Sequence, residues 1–357
     1  MGQEGTMRDK LQLTRHNIYS YILSILFFGM LLAPILKPGW AIATIKDSFK
    51  WRKDLVQLFN SYRIKIGDRV FSTTLVGNNG WLFYTGEGAI DDYQGVGLAK
   101  QKDLRQLQQS LDKIKIDLMQ QGISLVIVIP PNKESIYPQF MPDEIYVLRN
   151  KSPLDQFVEY MHLHSNTRII DLRPVLKNAS KSWQVYFKTD THWNQYGAYF
   201  AYQNIFLVLS EDYPALQAHP LSDYEITLGE KTTRDIANII GLPQIKEADW
   251  IFSPKFPVNK KTVTIPLNGL NRQVRIVSNE NQTFPSIVVF HDSFFTALSP
   301  FFEAHFSRLV SVPVVSKDFN SRSVWTLTWV EQQKPDIVII ELVERYLWEL
   351  PELLSTY

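Results

Sequence analysis

Cysteine is absent from all 357 residues. That gap excludes disulfides, thiolate nucleophiles and thiolate metal sites together, so a covalent nucleophile here has to be a hydroxyl, an amine or a carboxylate. Net charge is nearly absent as well: 37 basic residues stand against 36 acidic ones, a formal +1. With no field to gather nucleic acid or hold an anionic surface at long range, nucleic-acid binding is set aside. Internal repeats and low-complexity tracts are missing too. What the chain does have is core material. Apolar residues make up 45% and aromatics 13%, enough to fill one large domain or two ordinary ones.

One apolar run is long enough to cross a bilayer. Asn17 to Leu36 (NIYSYILSILFFGMLLAPIL) is uncharged, and ~20 residues of helix span the ~30 Å of hydrocarbon. Arg8, Lys10 and Arg15 precede it and favour a cytoplasmic tail over residues 1–16, although Lys37, Lys46 and Lys50 beyond it weaken that bias. A cleaved signal peptide is the alternative, but Pro34, Lys37 and Pro38 make a poor exit and no small-x-small site follows cleanly. The expectation is a single transmembrane helix at 17–36 in the inner or plasma membrane. Residues 37–75 would form a stalk, and the main domain, 76–350, would face the periplasm or another extracytoplasmic space.

Beyond the stalk the rhythm is helix then strand. Leu104, Leu107, Leu111, Ile114 and Leu118 recur at helical spacing, and Gly122 stands where a helix-ending glycine belongs. SLVIVI (124–129) is a short continuous apolar run, the mark of a strand buried on both faces. A helix over 154–164, a strand RIIDL (168–172), an apolar helix over 196–209, the strands SIVVF (286–290) and 309–315, a helix over 324–333 and the strand DIVII (336–340) continue the pattern. Such alternation predicts an α/β fold with a parallel sheet flanked by helices. Residues 212–284 lose the rhythm, and their alternating runs at 262–266 and 273–277 predict a small β-rich insertion.

Two motifs carry chemistry. In FHDSFF (290–295) Ser293 follows directly on a buried strand, at the carboxyl edge where α/β sheets build their sites. Backbone N–H groups at such a strand-to-helix turn can stabilise an oxyanion, although a serine there is also an ordinary helix cap. In KTDTHWN (188–194) Asp190 and His192 are two apart, so the carboxylate can hold the imidazole by Nδ1–H and leave Nε2 to accept a proton. Its plain reading is that Asp190 or Asn194 caps the next helix. A hydroxyl without a base is a poor nucleophile, so the two motifs together point to a Ser293, His192, Asp190 triad.

A competing arrangement is a metal site of Asp190, His192, His291 and Asp292, disfavoured because adjacent residues do not readily point at one ion. Glu341 and Arg345 follow DIVII and can contact substrate, or form an ion pair that seals the strand end. Trp81, Trp183 and Trp193 can stack on sugar rings or fill the core.

Several segments resemble the AlgX/AlgJ family of alginate O-acetyltransferases, which are SGNH hydrolase-like. They are GNNGWLF (77–83), PPNKESIYP (130–138), DTHW (190–193), RDIANIIGL (234–242), DSF (292–294) and PDIV (335–338), in that order. The resemblance covers 76–347, and DTHW followed by DSF is its most specific part.

It implies a permuted SGNH-like domain that acetylates exopolysaccharide hydroxyls outside the cytoplasm. Ser293 would be nucleophile, His192 base and Asp190 its orienter; apart from the resemblance, the residues' own chemistry makes Trp193, Glu341, Arg345 and Trp81 the candidate substrate contacts. No cofactor and no metal are implied. The acetyl donor would come from a partner, a multi-pass membrane-bound O-acyltransferase, and the acceptor would be a polysaccharide. Where the family usually carries glycine before Asp-Ser, this chain has His291. An esterase on the same triad and a catalytically silent polysaccharide-binding scaffold are the alternatives, the latter supported by that histidine.

Overall fold

The computed structural model describes residues 21, 24, 25, 50–267, 273–280, 283–314 and 328–354. The expected transmembrane helix falls almost wholly outside them. Among the described residues no helix is long and apolar enough to cross a membrane. The chain divides into two compact units, 1–62 and 63–357. In the first, the described chain is helical from Lys50, the start of α1 (Lys50–Lys65).

The second unit begins with a three-stranded antiparallel sheet, β1 (Val70–Phe71), β2 (Thr74–Val76) and β3 (Leu82–Tyr84). There follow α2 (Gln101–Met119), β4 (Ser124–Ile129), α3 (Pro153–His164), β5 (Arg168–Asp171) and α4 (Gln195–Leu209). Next come β6 (Tyr224–Thr233), α5 (Asp235–Ile239), β7 (Lys246–Pro254), β8 (Lys260–Pro266) and β9 (Gln273–Asn279). Towards the carboxyl end come β10 (Ser286–His291), α6 (Phe295–Phe302), β11 (Arg308–Pro313), α7 (Thr328–Gln333) and β12 (Ile337–Glu341).

The central sheet runs β5-β4-β12-β10-β11-β9-β8. Its first five strands are parallel, as the alternating pattern predicts. The sheet as a whole is mixed, which corrects that expectation: β9 pairs antiparallel to β11, and β8 antiparallel to β9. The expected β-rich insertion is thereby split. Only β6 and β7 pair as a separate two-stranded sheet, while β8 and β9 extend the central one. Strands with a period of two reveal that they have a face to bury, but not which neighbour they will pair with.

The apolar runs explain why the middle strands sit where they do. In β10, Ile287 and Val289 enter one core cluster while Val288 and Phe290 enter another, and β4 and β12 divide their side chains the same way. A strand buried on both faces needs helices on both faces. One layer includes α4 and α6. The other holds α2 and α3, where Leu104, Leu107, Leu111, Ile114 and Leu118 are each 0–2% exposed. Burying one such side chain is worth roughly 1.5–3 kcal/mol, so this stripe alone holds α2 to the sheet.

From β10 the chain goes to its neighbour β11 and only then to β12 on the other side of β10, so the order reverses there. The crevice at the carboxyl ends of strands at such a switch point is where open α/β sheets bind their ligands.

Gly197 lies in the first turn of α4, pressed against the loop that carries His192. A Cβ there would stand 2.2 Å from the Val185 carbonyl oxygen and 2.7 Å from the Trp193 Cβ. Gly197→Ala should therefore lower stability by about 1–3 kcal/mol, because a packed backbone yields little. A urea midpoint equal to that of the parent protein would show that the turn has room after all.

Candidate active site

Ser293 stands one residue beyond Asp292 at the end of β10, exposed, at the turn into α6. The turn is pinned by its neighbours. Asp292 is buried, and its two carboxylate oxygens accept the backbone N–H groups of Phe294 (2.8 Å) and Val343 (2.7 Å). The Asp292 N–H in turn donates to the Glu341 carboxyl at 3.2 Å. Burial raises the pKa of Asp292. Burial and then the Asp292 charge push Glu341 well above the carboxylate range. Two acids packed this closely do not both ionise in a dry interior.

The other half of the site is the loop between Tyr186 and Trp193, whose ends bridge as a short antiparallel pair. Asn194, not Asp190, caps α4: its Oδ1 accepts the Gly197 N–H at 3.1 Å. Asp190 is left for the imidazole. Its Oδ1 lies 2.6 Å from His192 Nδ1 and accepts the His192 backbone N–H at 3.0 Å. On the far side of the ring, Nε2 lies 2.7 Å from Ser293 Oγ. Carboxylate, imidazole and hydroxyl thus form one continuous series, joined across 101 residues of sequence.

Burial alone would raise the Asp190 carboxyl. The hydrogen bond and charge of His192 and the His192 backbone N–H outweigh it and hold the group well below the usual carboxylate range. It is therefore ionised, as a group that steadies an imidazolium has to be.

Three residues that sequence reasoning passed over hold this loop. Lys133 is buried, and its Nζ donates to the carbonyls of Phe187 (3.3 Å), Lys188 (3.1 Å) and Asp190 (2.6 Å). Burial lowers its pKa to about 8. Glu247, on β7, accepts the N–H groups of Lys188 and Thr189 and the Thr189 hydroxyl. Asp235, at the start of α5, accepts the Thr191 N–H at 2.8 Å and its hydroxyl at 2.5 Å. Lys133 and Asp235 do lie inside the family-like segments PPNKESIYP and RDIANIIGL, which was the one signal available; Glu247 carried none.

Asp235 also approaches His192 Nδ1, at 3.6 Å, and with Asp190 forms a group whose potential ligand atoms lie within 4.8 Å of one another. The four-residue metal site weighed from the sequence does not assemble. The ring nitrogens of His291 face the Asp292 carbonyl and Ser311, and the oxygens of Asp292 are taken by backbone amides.

Of the two readings open to the tryptophans, sugar stacking and core, Trp81 and Trp193 take the second. Trp81 is 2% exposed and stacks on Phe140 at 4.7 Å, and Trp193 is 1% exposed with its Nε1 donating to the Phe294 carbonyl. Both have their ring faces in the core, where an aromatic-rich chain most often puts them. Trp183 remains partly exposed, stacked on Tyr196 at 4.4 Å. Of the two readings open to Glu341 and Arg345, the ion pair between them does not form. Glu341 is 1% exposed beneath the nucleophile turn, and Arg345 donates to Asn132 Oδ1 and lies 3.7 Å from Glu87.

In front of Ser293 opens a cleft of about 550 Å³ walled by β9, α6 and β11, with Arg275, His291, Thr296 and Ser311 on its lining.

The mixed sheet flanked by helices, with a strand-end serine facing a loop histidine, defines an SGNH hydrolase-like protein. Residues 74–262, more than half of the chain, match the SGNH hydrolase-like domain of the acetyltransferase AlgX, and the chain belongs to that family. Asp190 and His192 fall inside the matched region, Ser293 beyond it. A curated relative, the probable alginate O-acetylase AlgJ of Pseudomonas syringae pv. tomato, is 26% identical over 179 residues. That match covers 49% of this chain and 42% of the relative, so the chain spans less than half of that relative's length.

Among solved structures, Bacillus cereus PatB1 superposes with a TM-score of 0.56 at 16% identity, over 77% of this chain and 96% of PatB1. A DHHW family protein from Eubacterium siraeum also gives 0.56, at 15% identity, over 79% of this chain and 97% of its own. Identities this low speak for the fold.

Proposed function

We propose that this chain is an O-acetyltransferase that moves acetyl groups to hydroxyls of an extracytoplasmic polysaccharide through an acetyl-serine at Ser293. The observation that carries the reading is the unbroken contact of Asp190, His192 and Ser293, at 2.6 and 2.7 Å. Membership of an acetyltransferase family and the alginate O-acetylase relative support the acetyl group and the polyuronate class of acceptor.

The chemistry follows from the contacts. Ser293 Oγ attacks the carbonyl carbon of an acetyl donor while His192 Nε2 takes its proton, and Asp190 steadies the resulting imidazolium. The tetrahedral oxyanion collapses, the donor's leaving group departs with the proton from Nε2, and acetyl-serine remains. A sugar hydroxyl then gives its proton to Nε2 and attacks the acetyl carbon; the second tetrahedral oxyanion collapses, the acetyl–Oγ bond breaks, and Nε2 returns the proton to Ser293 Oγ. The chain needs no cofactor of its own in this scheme. Acetyl reaches it from a multi-pass membrane-bound O-acyltransferase, with residues 17–36 as anchor, 37–75 as stalk and 76–350 as the catalytic domain outside the cytoplasm.

Water in place of the sugar makes the same machinery an esterase, a reading favoured by the exposure of Ser293 to solvent. The test is intact-mass analysis of the full chain after exposure to an activated acetyl ester. One acetyl adduct should form, map to Ser293, and discharge faster when a polyuronate oligosaccharide is added. Discharge at the same rate in buffer alone would select the esterase. An adduct on any other residue, or none in a folded protein, would leave the catalytically silent scaffold.

A further inference from the structure

His291 directly precedes the Asp292-Ser293 pair, and its side chain is not idle. The residue ends β10, where its carbonyl accepts the Val314 N–H at 2.9 Å, and the ring is buried at 7% exposure. Its Nδ1 lies 2.5 Å from the Asp292 carbonyl oxygen and its Nε2 lies 2.6 Å from Ser311 Oγ. The Phe295 ring packs on it at 4.8 Å between centroids. A carbonyl oxygen can only accept, so Nδ1 carries the proton, and in the neutral ring Nε2 accepts from the Ser311 hydroxyl.

The peptide group between Asp292 and Ser293 is thereby gripped at one end. A trans peptide is planar, and its N–H points opposite to its C=O. The other end of this one is the Ser293 N–H, which makes no hydrogen bond among the described residues. The amide of the nucleophile is a natural donor to the oxyanion that forms when its own Oγ adds to a carbonyl. A hydrogen bond at the carbonyl end also polarises the peptide and strengthens the N–H as a donor.

We infer that His291 is a positioning residue for the oxyanion: held by Ser311, it fixes the Asp292–Ser293 peptide so that the Ser293 N–H faces the oxygen that gains charge. Glycine, without a side chain, would leave that carbonyl to other partners. The inference rests on the proposed acyl-serine chemistry, and a steady-state assay with a chromogenic acetyl ester on the full chain reads it. In His291→Phe, which keeps a ring but loses the donor, kcat should fall about 30-fold or more, towards the loss typical of an oxyanion donor. KM should stay within about twofold, because the donor acts on charge that develops after binding. His291→Asn, whose amide N–H can still reach the Asp292 carbonyl, should recover most of kcat.

His291→Phe with parent-like kcat would overturn the inference, and so would an Asn variant as slow as the Phe variant, since packing would then be the whole effect. Ser293→Ala keeps this outcome separate from failure of the acyl-serine reading. If that substitution leaves turnover unchanged, the serine chemistry fails. The positioning role is then decided by crystal structures of the parent and His291→Phe, in which an unaltered Asp292–Ser293 peptide plane would refute it.

Discussion

Ser293→Ala should remove acetyl-ester turnover, by at least about 10⁴-fold in kcat, while the fold stays intact. Removing the nucleophile of a triad costs about as much as removing the whole unit. The fold should tolerate the change because the serine is exposed and its hydroxyl bonds to His192 rather than to the core. A serine-directed phosphonate should label the parent protein once and the variant not at all. Turnover in the variant above about a hundredth of the parent value would place the nucleophile elsewhere.

The next largest effect should come from Asp190→Asn, with kcat lower by roughly 10³–10⁴-fold at near-parental substrate affinity. An amide at 2.6 Å from Nδ1 presents the wrong group to the ring, favours the wrong tautomer and no longer offsets the imidazolium charge. Asp235→Asn is the informative control. Asp235 stands farther from Nδ1, at 3.6 Å, and spends its hydrogen bonds on Thr191. Burial and then the Asp190 charge push its carboxyl up, so it is the poorer counter-ion of the two. Its loss should lower kcat by about tenfold at most, and equal losses in the two variants would mean that either carboxylate can steady the ring.

Asp190 also has a signature in stability. Its folded carboxyl is held below the usual range, so its contribution is complete above the ordinary carboxylate pKa of about 3.9 and is lost as pH falls through the depressed folded value. The stability difference between parent and Asp190→Asn should therefore be fully present at about pH 5 and shrink in stronger acid. A difference that grew on acidification below about pH 4 would have the wrong sign for a depressed carboxylate.

How far the sequence reaches is clear from particular residues. SLVIVI, SIVVF and DIVII announced strands buried on both faces because after its first residue each is wholly apolar, and the stripe from Leu104 to Leu118 announced the helix that covers them. The meeting of Ser293 with His192 was legible because each follows a motif whose chemistry is incomplete alone. The tryptophans are ambiguous in sequence for the opposite reason. An indole in a sequence looks the same whether its face meets sugar or Phe140, and only packing chooses.

The same division holds for the molecule as a whole. Order along the chain determined the elements, their parallel core and the residue types capable of acyl transfer, since periodicity and hydrophobicity are local properties. Tertiary structure alone decided that β8 and β9 extend the central sheet and that Lys133, Asp235 and Glu247 hold the histidine loop. It also decided that His291 turns to Ser311 and to the carbonyl behind the nucleophile. Those contacts join residues far apart in sequence, and a hydrogen bond depends on distance and direction in space, neither of which spacing along a chain records.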